Sequence, residues 1–167
     1  MRILTLLFLL ISFNGIAQNL EWGKSMGGPV YSSIYSITSD NQGNTYLGGV
    51  FSDTVDFDPG PNILNISAKG STYFDFFVGK LDPNGNLLWI NTAGNIWKDE
   101  ATSITLDNNG DLYVTGYFSD TVDFDPGIGV TNLISPGYYA MFLQKLDNNG
   151  NLIWAKAIGN DSLPGGA

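Results

Sequence analysis

The chain has no cysteine and no histidine. The first absence excludes a disulfide framework and a thiolate nucleophile; the second removes the usual general base and imidazole metal ligand. Cations are scarce as well: 7 Lys and Arg stand against 16 acidic residues, for a formal charge of -9. Nucleic acid or an anionic membrane needs a basic patch, which so few scattered cations do not build, so neither is expected as a partner. Bound cations are the more natural counter-charge. The acidic set is itself one-sided, with 14 Asp and 2 Glu. Aspartate favours turns and caps whereas glutamate favours helix interiors, so the bias points to strands and tight turns. No stretch after residue 17 sustains apolar residues at helical spacing. The serines have no histidine partner, and neither a P-loop nor a dinucleotide fingerprint occurs.

The longest apolar run is Ile3–Ile11, directly behind Arg2 and followed by Gly15-Ile16-Ala17. It is too short to span a bilayer, and small residues at the -3 and -1 positions mark a cleavage site. Residues 1–17 are therefore expected to be a secretory signal peptide, leaving Gln18 as the first mature residue. The product is expected to be extracellular or on the cell surface, without membrane insertion once the leader is cut. With 43% hydrophobic and 13% aromatic residues, the chain is too apolar for disorder and can bury one modest domain or two small units.

What dominates the remainder is repetition. The ten residues Phe51–Gly60, Phe-Ser-Asp-Thr-Val-Asp-Phe-Asp-Pro-Gly, return unchanged at Phe118–Gly127. Trp22 and Trp89, Asp40 and Asp107, and Tyr46 and Tyr113 are each 67 residues apart, whereas Trp89 and Trp154 are 65 apart. The sequence units run over 18–88 and 89–153, with 154–167 beginning a third. Within each unit the pattern has period two. Ser33–Asp40, the turn to Asn44 and Thr45–Phe51 read as a β-hairpin, and Phe74–Asp82, Pro83–Asn86 and Leu87–Ile90 as a second. The segment Phe51–Tyr73, with its counterpart Phe118–Tyr139, reads as the connection between hairpins. Four antiparallel strands recurring at this period predict an all-β fold of β-propeller-type blades, here two blades of an incomplete propeller. A small twisted sheet has two faces to cover, so further blades in cis or self-association are expected.

The residues Trp22, Lys24, Gly27-Gly28, Ser36-Ile37, Asp40, Gly43-Asn44, Tyr46, Gly49, Phe51, Val55–Gly60, Phe77-Val78, Lys80–Asp82, Gly85-Asn86 and Trp89 carry a family resemblance. This pattern resembles the SBBP class of β-propeller repeats and covers almost everything after residue 17. The resemblance implies a seven-bladed propeller in a secreted or surface bacterial protein, often with a sorting domain for the type IX route. It implies no assigned activity.

Two acidic sets stand out: Asp53, Asp56 and Asp58, and Asp120, Asp123 and Asp125. They have the hard oxygens that Ca²⁺ takes, about six to eight per ion, and equally the chemistry of turn caps beside Pro59-Gly60 and Pro126-Gly127. No other cofactor is expected. Asp107–Asp111 is not an EF-hand loop, because its Gly stands fourth and no bidentate Glu follows. In Asp82–Trp89 and Asp147–Trp154 the Asp-to-Gly and Gly-to-Trp spacings are each one residue longer than in a sialidase Asp-box, and the segments read as a turn plus a packing tryptophan. Asp53-Thr-Val55, Asp120-Thr-Val122 and Asp161-Ser-Leu163 match a short bacterial O-glycosylation motif that also occurs by chance. Gly49 and Gly116, inside strands, mark close backbone approach or a bulge. Identity of the acidic sets in both units favours a role in every blade over one asymmetric catalytic site. The expected function is a binding or structural module without catalysis, for an unknown protein or glycan ligand. The alternative is part of a carbohydrate-active propeller enzyme using paired carboxylates.

Overall fold

The computed structural model describes residues 20–70 and 72–159. The expected signal peptide and its cleavage site lie outside them, as do residues 160–167. The described residues hold twelve strands and no helix. The first sheet contains β1 (Ser32–Ser39), β2 (Thr45–Phe51), β5 (Asp75–Leu81) and β6 (Leu87–Ala93), antiparallel in the order β1-β2-β5-β6. The second contains β7 (Glu100–Leu106), β8 (Leu112–Phe118), β11 (Ala140–Leu146) and β12 (Leu152–Ile158), paired in the order β7-β8-β11-β12. Two antiparallel four-stranded sheets are the arrangement expected of propeller blades.

Aspartate makes the turns. Asp40 Oδ1 accepts the amides of Gln42 and Asn44, both at 2.9 Å, and Asp82, Asp107 and Asp147 repeat the arrangement. Burial opposes ionisation at Asp40, Asp107 and Asp147, but the donated bonds outweigh it; at Asp82 the Asn86 amide leads. All four carboxyls therefore lie below the ordinary value.

The connection in each unit is more ordered than its sequence indicates. Phe51–Tyr73 contains a small antiparallel pair, β3 (Thr54–Asp56) with β4 (Asn65–Ser67); its counterpart pairs β9 (Thr121–Asp123) with β10 (Asn132–Ile134). Three residues per strand are too few to show period-two alternation, which is why the sequence hides them. The sheets are also phased differently from the sequence units: the boundaries 88/89 and 153/154 fall inside β6 and β12. A period fixes the length of a repeat but not where a sheet begins.

The decamer's identity follows from packing. Phe57 and Phe124 fold back onto their own sheets, meeting Phe51 at 5.1 Å and Phe118 at 5.3 Å, edge to face in both. They touch Phe77 and Phe142 at 5.1 and 4.9 Å. Between the sheets, Phe76 of β5 stacks on Phe142 of β11 at 5.0 Å, joined by Tyr46, Val78, Ile104, Leu112 and Val114 in one buried cluster. A second cluster covers the other face of the first sheet, with Trp22 and Met26 packed on Leu47, Phe51, Phe57 and Phe77.

Candidate functional site

The two acidic sets are built into turns. Asp56 Oδ1 accepts the amides of Asp58 (3.0 Å) and Leu64 (2.9 Å), and Asp58 Oδ1 accepts that of Gly60. Asp123 holds the amides of Asp125 and Thr131, and Asp125 that of Gly127. Asp53 and Asp120 stand apart at exposed corners with φ of 58° and 50°, a left-handed conformation that Asp tolerates. Their carbonyls close the small hairpins by accepting the amides of Ala68 and Ser135. Two carboxylates of each set are thus committed to backbone amides. Among the described residues no group of three acidic side chains gathers in a way that could hold a metal ion.

A second arrangement joins the sheets. Trp89 Nε1 of β6 donates to the carbonyl of Asn148, 3.2 Å away, in the β11–β12 turn. Asn148 Oδ1 accepts from Tyr46 Oη at 2.7 Å and from Lys80 Nζ, and Asn91 donates to the carbonyl of Gly150 at 2.7 Å. Gly150 has φ of 84°, and a Cβ there would stand 3.0 Å from the Trp89 ring, so both backbone and space require glycine. Burial, then the nearby Asp40 carboxylate, push the Tyr46 hydroxyl up to about 12. Burial draws Lys80 below its ordinary value, against the pull of Asp40.

The tryptophan-to-turn part of this clasp recurs one unit earlier, with Pro83 in place of Asn148. Trp22 Nε1 donates to the carbonyl of Pro83 at 3.0 Å, and its ring lies 3.0 Å from where a Cβ on Gly85 would be. One unit later only the donor half is present among the described residues. Trp154 lies edge to face against Tyr113 at 6.0 Å, as Trp89 does against Tyr46 at 6.2 Å. Lys145 turns back to Asp107 and Asp111 at 3.1 and 2.9 Å, and these pairs raise its pKa above the ordinary range. The face around it is open: Tyr117 and Met141 are 47% and 46% exposed, whereas their counterparts Val50 and Phe76 are 0% and 2%.

A third feature has no repeat, and no local motif marks it in the sequence. Asp99, in the β6–β7 connection, is 0% exposed and accepts the amides of Ser119 at 2.9 Å and Asn95 at 2.8 Å. Its counterpart in the first unit is Ser32, and the nearby buried Asp75 has Ala140 as its counterpart. Departure from the repeat was the available signal. Burial raises Asp99 to about 7, opposed by the two amides and by Lys69 and reinforced by Asp75, itself raised by burial. In the unfolded chain Asp99 titrates near its ordinary 3.8, so the folded state binds this proton more tightly. Its contribution to stability is full below pH 4 and fades as pH rises towards 7. The stability measured by urea unfolding should accordingly fall between pH 5 and pH 8, by about 2.5 kcal/mol in unfolding free energy. Asp99→Asn should flatten that slope; an unchanged slope would mean that Asp99 titrates normally.

Ser119 also lines a cleft of about 450 Å³ with Tyr73, Trp97, Asp120, Ser135, Tyr138 and Tyr139. It lies where the β6–β7 connection meets the β8–β9 corner and the loops before β5 and β11.

No family model matches the chain. An uncharacterized WD repeat-containing protein of Acanthamoeba polyphaga mimivirus, L264, is 25% identical over 114 residues, covering 60% of this chain and 8% of that protein. The chain thus spans less than a tenth of that relative's length. With the paired antiparallel sheets, this distant likeness points to a propeller-like repeat fold, while the finer SBBP type rests on the motifs alone.

Proposed function

We propose that the chain is a secreted or cell-surface propeller-type repeat module, of SBBP type, with a binding or structural role and no catalytic chemistry of its own. The inter-sheet clasp carries this reading. Its tryptophan, tyrosine, lysine and turn glycine recur between units, whereas Asn91 and Asn148 do not, and the second sheet presents its donor half, Trp154 with Tyr113, on a face whose counterpart in the first sheet is buried. Such a face favours another sheet of the same kind, because repeat units bury their surfaces against neighbours. The two acidic sets recur identically and hold turns, which supports a scaffolding role for them.

One preparation tests both halves of the reading. Expressed from Met1 in a bacterial host, the protein should be recovered outside the cytoplasm with an intact mass beginning at Gln18. Light scattering should then show concentration-dependent association, weakened by Tyr117→Lys on the open face. Retention of residues 1–17 would remove the secreted reading. A monodisperse monomer up to about 100 μM would remove the stacking one, since that corresponds to less than about 5.5 kcal/mol of attraction.

A further inference from the structure

We propose that the cleft between Trp97 and Asp120 binds a neutral oligosaccharide, with one pyranose ring stacked on Tyr73 and Trp97 and its hydroxyls held by Asp120, Ser119 and Ser135. The inference deepens the binding role proposed above by naming a ligand class. It is carried by features of one locus that the repeat does not explain. Trp97 corresponds to Val30 in the first unit, so the cleft lacks an equivalent there. Trp97 and Tyr138 are 46% and 90% exposed, although such rings ordinarily supply core or interface area.

The geometry selects among ligands. Tyr73 and Trp97 lie 5.5 Å apart between centroids at 44°, in contact with each other. They form a platform and leave no room for an ammonium group between them, as a cation cage requires. A pyranose, by contrast, offers an apolar face of C–H groups to such a platform. The polar lining is rich in acceptors. Ser119 Oγ donates to the carbonyl of Lys98 at 3.3 Å, and Ser135 Oγ to that of Gly137 at 3.0 Å, which leaves their lone pairs free to accept. The exposed Asp120 carboxylate accepts as well, taking Thr121 Oγ1 at 3.3 Å. Among the described residues no Lys or Arg lines the cleft, which disfavours anionic ligands. A ligand that brings several O–H donors on a ring with one apolar face satisfies both halves. The volume falls within the usual range for small-ligand sites, about 300–1,000 Å³.

Calorimetric titration of the purified chain with cellohexaose, mannohexaose and N-acetylchitohexaose, each to about 5 mM, tests the assignment. At least one should bind saturably. Trp97→Ala should weaken that binding about tenfold, the loss expected for one stacking ring. Asp120→Asn should weaken it several-fold while keeping a residue that tolerates the left-handed corner. Both changes lie at exposed positions, so thermal midpoint and solution mass should stay as in the parent chain; that separates failure here from failure of the stacking reading. Absence of saturable binding with all three sugars overturns the proposal, as does equal affinity in the Trp97→Ala chain. Preferential binding of a trimethyl-lysine peptide overturns it in favour of a cation site.

Discussion

Gly116→Ala should destabilise the chain by more than about 3 kcal/mol, beyond the usual range for overpacking. Gly116 lies in β8 opposite Ala101, where the β7–β8 register shifts between Ala101 and Ser103. A Cβ there would stand 1.8 Å from the carbonyl oxygen of Glu100, a backbone atom that no change of rotamer can move aside. Relief requires β7 to separate from β8, which breaks ladder hydrogen bonds and shifts Ala101 and Ile104, both in the inter-sheet cluster. A Cβ on Gly49 of β2 would clash in the same way with the carbonyl oxygen of Ser33, so its replacement should behave alike. Gly137 is the control. A Cβ there meets nothing within 4 Å, and its alanine variant should stay within about 0.5 kcal/mol of the parent. Urea unfolding of the three variants decides the matter; a Gly116→Ala loss similar to that of Gly137→Ala would show that the bulge yields without cost.

Trp89→Ala should cost about 3 kcal/mol, at the lower end for a buried tryptophan because its indole nitrogen lies at the exposed rim. The ring packs on the Gly150 turn of one sheet and on Tyr46 of the other, so its removal opens both the clasp and the cluster behind it. Trp154→Ala removes the equivalent ring, which among the described residues has only the in-sheet half of those contacts, and about 1 kcal/mol is expected. The difference between the two variants measures what the neighbouring sheet contributes. Equal losses would mean that Trp89 acts within its own sheet and that the clasp adds nothing. Asn148→Ala checks the polar part: the Lys80 ammonium and Tyr46 hydroxyl would both lose an acceptor in a buried setting, where an unpaired polar group is costly.

Much of this architecture is legible in the residues themselves. Asp-x-x-Gly turns between alternating stretches locate the main hairpins, because a carboxylate beside two amides and a glycine at positive φ is a local device. Gly49 and Gly116 read as points of close approach for a similar reason: a strand tolerates glycine where a side chain has no room. The tryptophans read as packing residues, though not which turn each would meet. The strands β3 and β4 were hidden by their shortness. The acidic sets carried two chemistries in the sequence, and their use as turn caps emerged only when the small hairpins brought Leu64 back to Asp56 and Thr131 back to Asp123.

The all-β class and the turn chemistry follow from local pattern, since each depends on contacts within a few residues of chain, and the period follows from the recurrence of residue strings. Tertiary structure decided what no local pattern encodes. It set the phase of the sheets, with Trp89 closing the first and reaching into the second. It buried Asp99 beside Asp75, shifting both carboxyls through desolvation that depends on neighbours distant in the chain. It also gathered Tyr73, Trp97, Asp120 and Tyr138 from four separate connections around one cleft, a proximity that exists only after two sheets have packed face to face.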